Sequence, residues 1–332
     1  MVVFILRRLI SLVVTLLGGF TLLFVLFFAL PSDPATKIAS GSGKPPSPQV
    51  VQNTKERLGL DKSIPHQYWD RLTETVTLSG ESFKTREPVR DMVKTRLPNS
   101  IRLATWAMVI EITVGIGFGV LSARKRNSIA DTLTTTAAVI ASAIPVFVLG
   151  YLLKQVTGVY AFEHGWPDWA RFPTLGIGPN EWYLGIIPSL GQLEYLIQPA
   201  IVLACVSTAI VARLTRTTML EAQSADYVRT ARAKGLGDKV VSRRHVLRNA
   251  LIPVVTFIGV DFGTMVGMAI LTETVFDWPG LGSKVATAAG QSDLPVVLTL
   301  SMVVMAVYGL ANLIVDISYA KLDPRIRLGE DS

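Results

Sequence analysis

Two carboxylates stand where carboxylates are costly. Glu111 lies inside the apolar stretch 103–123 and Asp261 inside 250–272, and an aspartate at the centre of a membrane helix costs about 2.5–3.5 kcal/mol on insertion scales. Each should therefore face protein or water, as a proton or ion carrier, as the lining of a water-filled pathway, or as a polar contact with a neighbouring helix or partner subunit. No other constellation offers chemistry. His66, His164 and His245 are too far apart for a local metal motif, and the single cysteine, Cys205, allows neither an intrachain disulfide nor a thiolate zinc site. Neither HExxH nor a nucleophile paired with an in-span histidine occurs. Gly41-Ser-Gly-Lys44 fails as a phosphate-binding loop, because Ile38 stands where its first glycine is required and Pro45 follows the lysine in place of Ser or Thr. Catalytic residues and metal ligands are expected to be none.

The elements that position these two acids are membrane helices. Half of the 332 residues are hydrophobic, only 17% are charged against about 25% in soluble domains, and the mean hydropathy is +0.43. A spanning helix needs about 20 apolar residues. Stretches 9–30, 132–153 and 294–315 meet this without a charge; 103–123 and 250–272 carry the two acids; 195–212 is short and contains Pro199. Six spans are expected. The first is longer than a signal-peptide core and no A-x-A site follows, so it is expected to stay as an anchor. An all-α membrane protein follows. It divides into a first helix (1–30), an extracytoplasmic loop domain (31–98), a five-helix membrane domain (99–318) with a cytoplasmic loop at 213–249, and a cytoplasmic tail (319–332).

Basic residues set the orientation. Arg7 and Arg8, the Arg124-Lys125-Arg126 loop, the segment 213–248 and the tail hold seventeen of the 32 lysines and arginines, whereas the two short opposite loops hold only Lys154, Arg171 and Lys284. Both termini are expected in the cytoplasm, and the net charge of +7 reads as topology and attraction to anionic lipids, not nucleic-acid binding. In the long outer loop, the Pro/Gly/Ser-rich run 41–48 indicates a connector. Stretches 50–60 and 67–78 predict short amphipathic helices, with Tyr68, Trp69, Leu72 and Val76 near helical spacing.

The inner loop is more informative. From Asp226 to Lys234, helix-favouring alanines precede Gly235, which can end a helix; a second helical run then reaches Pro253 and enters the membrane. A short helix, a glycine turn and another helix make a compact knob able to dock into a partner's groove. Within the fifth span, Gly259, Gly263 and Gly267 repeat every four residues, a small-residue face for close helix packing. Asp261, about 200° around the helix from Gly259, points roughly away from it. Gly115 and Gly119 give a weaker packing signal.

At this loop the sequence resembles the B-type inner-membrane permease of peptide ABC importers. The resemblance runs through Leu6-Arg-Arg-Leu9, Leu30-Pro-Ser-Asp-Pro-Ala35, Leu58-Gly-Leu-Asp61 with Gln67-Tyr68, Pro88-Val89, Arg96-Leu-Pro98, Asp226-Tyr-Val-Arg-Thr-Ala-Arg-Ala-Lys-Gly-Leu236, Leu247-Arg-Asn-Ala-Leu-Ile-Pro253, Glu273-Thr-Val-Phe-Asp-Trp-Pro-Gly-Leu-Gly282 and Leu322-Asp-Pro-Arg-Ile-Arg327. It implies the type I ABC importer permease fold and a coupling helix, for which Asp226, Tyr227, Arg229, Thr230, Ala231, Arg232, Ala233, Lys234 and Gly235 are the candidates. The general importer signature places a glutamate and two alanines where this chain has Arg229, Thr230 and Ala231. The match there is limited to the last alanine and Gly235, a departure typical of the peptide branch. The resemblance further implies a bacterial plasma-membrane location, a paralogous C-type permease, two ATPase subunits or domains carrying ATP and Mg, and an external substrate-binding protein delivering peptide. This chain would bind no cofactor and catalyse no reaction. A haem or nickel-chelate cargo is the alternative; an ion-coupled secondary transporter using Glu111 and Asp261 is another, although no internal repeat supports it.

Overall fold

The computed structural model describes residues 2–30, 34–39, 46–57 and 59–322. Most of the expected connector 41–48, Leu58 and the tail beyond Leu322 lie outside the described residues.

Five helices are long and apolar enough to cross a membrane: Val3–Ala29, Val89–Arg124, Leu190–Ser224, Asp238–Val275 and Leu294–Ile317. The remaining expected span is not one helix. It consists of α7 (Ile129–Ala143) and α8 (Val146–Leu153, continued by a π-helical turn Lys154–Tyr160), and the pair meets at 105°. The cause is local. Ile144 is extended (φ −85°, ψ 126°), as a residue before proline prefers, and Pro145 brings no N–H to continue the ladder.

The other spans run further than their apolar cores. The second begins at Val89, so Pro98, expected as the domain boundary, lies inside α5 (Val89–Ile110); a π-helical turn Glu111–Gly115 joins it to α6 (Ile116–Arg124). The fourth span is α10 (Leu190–Ser224), 35 unbroken residues through Pro199, capped by the Ser189 hydroxyl accepting from Gln192 N–H. The fifth is α13 (Arg248–Val275) and the last is α15 (Leu294–Leu322).

Helix α10 is the hub: α5, α6, α7 and α13 all pack on it. Its main core joins Leu103, Ala104 and Ala107 of α5 to Leu196, Ala200 and Leu203 of α10 and Met265 and Ala269 of α13. Gly115 and Gly119 bring the second span close to α10. A Cβ at Gly119 would lie 2.6 Å from the Ala212 carbonyl oxygen, and one at Gly115 would lie 2.8 Å from Val211 Cγ1, so the second and fourth spans touch backbone to backbone.

The segment between the first two spans forms α3 (Pro48–Arg57) and α4 (Ile64–Thr77). Tyr68 and Leu72 of α4 pack on Phe20, Phe24 and Phe28, a ladder at i, i+4 along α1 (Val2–Phe24) and its π-helical end. Trp69 and Val76, expected on the same face, are instead 66% and 75% exposed. Asp70 accepts a hydrogen bond from Lys62 at 2.7 Å, which holds its carboxyl below the ordinary aspartate range.

Candidate functional site

The chain leaves α10 at Ala225, whose extended backbone (φ −72°, ψ 149°) breaks the helix, and re-forms at once as α11 (Asp226–Ala233). Gly235 ends it with φ +80°. Gly235 N–H bonds the Arg232 carbonyl (2.9 Å) and Leu236 N–H bonds that of Ala231 (3.3 Å), the left-handed closure that glycine permits. The chain then passes through a short helix, Asp238–Val240, and a π-helical stretch, Val241–Leu247, into α13.

One face of α11 is spent on the protein itself. Val228 and Ala231 are buried among Ala123, Met219, Val241, Val246 and Ala250. Ala231 is only 5% exposed, so it serves this internal core and offers no surface to a partner; Ala233 faces out. The displayed surface comprises Asp226, Tyr227, Arg229, Thr230, Arg232, Ala233 and Lys234, followed by the half-open Leu236 and Val240. Arg229 pairs with Asp226 (3.4 Å) and Arg232 with Asp238 (3.5 Å); exposed pairs like these are worth little and leave the guanidinium groups able to exchange partners. The result is an ordered knob, basic with an aromatic and aliphatic rim, held rigidly on its inner side.

A buried clamp fixes the base of this knob. Asp131, at the start of α7, takes Arg216 of α10 through two hydrogen bonds (Nε 2.7 Å, Nη2 2.9 Å) and also accepts from Ser122 Oγ and Asn127 N–H. Sequence reasoning missed this pair. The available signal was Ser128-x-x-Asp131 ahead of an apolar run, a capping pattern, and Ser128 does accept from Asp131 N–H. Arg216→Ala should cost about 1–3 kcal/mol by stripping a buried acceptor of its partner, seen as a lower melting temperature of the purified complex. Arg216→Lys should recover part of that loss, since lysine keeps the charge without the two-pronged geometry. Equal melting of all three proteins would remove the clamp from the account.

At the opposite end of the spans, Glu273 is buried at the end of α13. It accepts from Ser100 Oγ (2.6 Å) and Ser283 N–H (2.9 Å), while Ser100 Oγ accepts from Leu281 N–H (2.8 Å). The buried Trp278 indole donates to the Asn99 carbonyl (3.1 Å), and Asn99 Nδ2 donates to that of Pro279 (3.0 Å). These bonds latch the turn between α13 and α14 (Leu281–Gly290) onto α5. Gly280 lies directly against the Glu273 carboxylate, where any Cβ would collide with it. Beside this latch, an antiparallel hairpin, β1 (Trp182–Tyr183) and β2 (Ile187–Pro188), is pinned to α5. Arg102 donates to Gly185 (2.8 Å) and stacks on Trp182, and Trp106 donates to Ile186 (2.9 Å).

The two intramembrane acids sit on the second and fifth spans, which pack on each other through α5 and α13. Glu111 is fully buried, and neither of its carboxylate oxygens has a hydrogen-bond partner. Asp261 is half-buried, with the Ser207 hydroxyl of α10 beside it. Of the glycine stripe on α13, Gly263 makes a close approach: a Cβ there would be 3.0 Å from the Tyr308 ring of α15. At Gly267 a Cβ would meet nothing within 4 Å, so a continuous packing face is absent within this chain.

These features define a polytopic all-α membrane component: a bundle centred on one long helix, latched at one end and carrying a rigid helical knob at the other. The chain belongs to the family described as binding-protein-dependent transport system inner membrane component, whose model matches residues 115–328, with the corresponding N-terminal component matching residues 1–104. Its fold is the type I ABC permease fold. Among curated proteins it is 36% identical to a probable peptide ABC transporter permease of Sinorhizobium fredii, over 98% of this chain and 99% of the relative. It is also 36% identical to the dipeptide transport system permease DppB of Alkalihalophilus pseudofirmus (98% and 100%) and to the glutathione transport system permease GsiC of Escherichia coli (98% of each chain).

Proposed function

We propose that this chain is one of two permease subunits of an ATP-driven importer of peptides, pairing with a paralogous permease. An external binding protein delivers the cargo, and one of two ATPase subunits or domains, which carry the ATP and Mg, docks on the Asp226–Gly235 segment. The observation that carries this reading is the shape of α11. Its apolar face is already satisfied by its own chain, yet Tyr227, Arg229, Arg232 and Lys234 stand exposed on the far side, uncovered by any of the described residues. A solvated loop has no need of such backing. The cargo class rests on the names of these three relatives, which concern peptides, dipeptides and the tripeptide glutathione. Hydrolysis belongs to the partners, and the lipid bilayer covers the outer surface of the bundle.

ATP-dependent uptake into proteoliposomes containing the whole complex tests the reading. Di- and oligopeptides should be accumulated and compete with one another; uptake of haem or a nickel chelate alone would replace the cargo class, and uptake driven by a proton gradient without ATP would overturn the function. The orientation is tested in a Cys205→Ser background. Ser47→Cys should be labelled by an impermeant maleimide from outside intact cells, whereas Lys239→Cys should react only after permeabilisation. Labelling of both from outside would reverse the placement of α11 and with it the proposed docking.

A further inference from the structure

Helices α1 and α15 run antiparallel along one seam. Arg8 Nε meets Asp316 Oδ2 at 3.2 Å, a Cβ at Gly309 would collide with Leu12, and one at Gly19 would lie 2.6 Å from Met305 Sδ. In this seam lies a groove of about 140 Å³ whose polar lining is Arg8, Ser11 and Thr15 of α1 and Tyr308, Asn312 and Asp316 of α15. The spacing produces it, because residues three and four apart share a helix face. Arg8 directly precedes the apolar stretch 9–30 and Asp316 directly follows 294–315. The ion pair therefore marks the bilayer surface, and Thr15, seven residues on, lies about 10 Å deeper.

Polar groups are costly at that depth, yet the chain leaves most of these unspent. Thr15 donates to the Ser11 carbonyl (2.9 Å). Asn312 Oδ1 is turned towards α13, 3.4 Å from where a Cβ of Gly263 would stand, which leaves the amide nitrogen to the groove. That nitrogen and the Ser11 and Tyr308 hydroxyls have no partner among the described residues. Ser11, Thr15 and Tyr308 are exposed, so the groove opens sideways onto the bilayer. Arg8 is half exposed and Asp316 about one-quarter exposed, so each charge keeps a side open. We propose that the groove holds the headgroup of one glycerophospholipid that ends in a primary ammonium, from the leaflet in which Arg8 lies. That leaflet is the cytoplasmic one in the orientation proposed above, and only this assignment rests on that reading. The match is charge for charge. The phosphate accepts from the Arg8 guanidinium, a strong charge-assisted contact, and the ammonium donates to Asp316. A purely anionic headgroup would leave Asp316 opposed. One turn deeper, the donors Ser11 and Asn312 meet the ester carbonyls, the acceptors a phospholipid carries below its phosphate. A partner's helix, about 10 Å across, is too wide to enter.

The test uses the assembled complex in nanodiscs of matched acyl chains: phosphatidylcholine alone, or with part of it replaced by phosphatidylethanolamine or phosphatidylglycerol. Phosphatidylethanolamine should raise the melting temperature by several degrees over phosphatidylcholine, whose quaternary ammonium has no hydrogen to donate. Phosphatidylglycerol, which lacks the cation, should not. The rise should vanish in Arg8→Gln and in Asp316→Asn. It should fall by half or more in the double variant Ser11→Ala, Tyr308→Phe, which removes two hydroxyls, keeps the ion pair and decides the matter if a charge variant fails to assemble. Native mass spectra should show one phosphatidylethanolamine fewer on Arg8→Gln than on the wild type. An equal rise in the wild type and every variant is an effect of the bulk bilayer and overturns the site. A wild type indifferent to phosphatidylethanolamine overturns it too, as does one stabilised as much by phosphatidylglycerol. Soluble phosphoethanolamine giving the full rise in phosphatidylcholine discs would overturn the lipid as occupant. None of these measurements depends on cargo or ATP, so the outcome is separate from that of the transport assay.

Discussion

Gly235→Val should leave a folded, membrane-inserted permease that transports about tenfold more slowly or worse. Nothing lies within 4 Å of a Cβ at this position, so the substitution creates no clash and acts through the backbone alone. At φ +80° a β-branched residue is a steric outlier, and the left-handed conformation costs about 1–2 kcal/mol for an L-residue. The turn is exposed and can relax to avoid that cost, which re-aims the chain between α11 and α13 and moves the displayed arginines away from their partner. Roughly 1.4 kcal/mol is a factor of ten in association. Co-purification of the ATPase subunits, together with cargo-stimulated hydrolysis in reconstituted complexes, reads the effect. Gly235→Asn is the control, because asparagine tolerates the left-handed region, and it should retain most of the coupling. If valine couples as well as asparagine, the turn geometry has no part in transmission. Ala231→Trp is unsuited to the same question: Ala231 is buried in the chain's own core, and its enlargement reports folding.

The largest effect on stability is expected at the latch on the other side of the bundle. Glu273→Ala leaves the Ser283 N–H buried and unpaired and removes the acceptor of Ser100 Oγ; each unsatisfied buried group costs about 1–3 kcal/mol. Little folded protein should be recovered, and what is recovered should melt several degrees lower. Gly280→Ala should be comparably damaging for a steric reason, since its backbone (φ −97°, ψ −177°) is open to any residue and the added methyl strikes the Glu273 carboxylate. The two losses therefore share one cause, and in the double variant they should not add, because removal of the carboxylate leaves room for the methyl. Fully additive losses in thermal melts would show that Gly280 and Glu273 act separately.

What the sequence disclosed and what it withheld divide along physical lines. Apolar length is a property of the chain alone, so the spans could be located; so could a helix ending at Gly235, where a helix-favouring run meets a residue that permits a left-handed turn. A proline's consequence depends on its surroundings: Pro98, Pro199 and Pro253 all sit inside helices, whereas the residue before Pro145 is extended and the third span bends there. Glycine spacing shows the same limit. The four-residue repeat on α13 is real, but the partner helix reaches Gly263 and leaves Gly267 open, while Gly115 and Gly119 both lie against the α10 backbone. The costs of Glu111 and Asp261 were evident from their apolar neighbours, yet the complete burial of the first and the half-burial of the second required the packing of the spans. The Asp131–Arg216 clamp joins residues 85 apart, and no local pattern reveals its second member.

The unbroken length of α10 has a mechanical consequence. At 1.5 Å per residue, its 35 residues form a rod about 52 Å long, and its glycine contacts with the second span, at Gly115 and Gly119, fall near its middle and below. Those close approaches are the natural fulcrum for the rod, because the second span has no side chain there to be compressed. A tilt of roughly 10° about it carries each end through roughly 4–5 Å in opposite directions. A push on the segment that follows Ser224 is thereby felt at Leu190, beside the hairpin on the other side of the membrane, with no joint in between to absorb it.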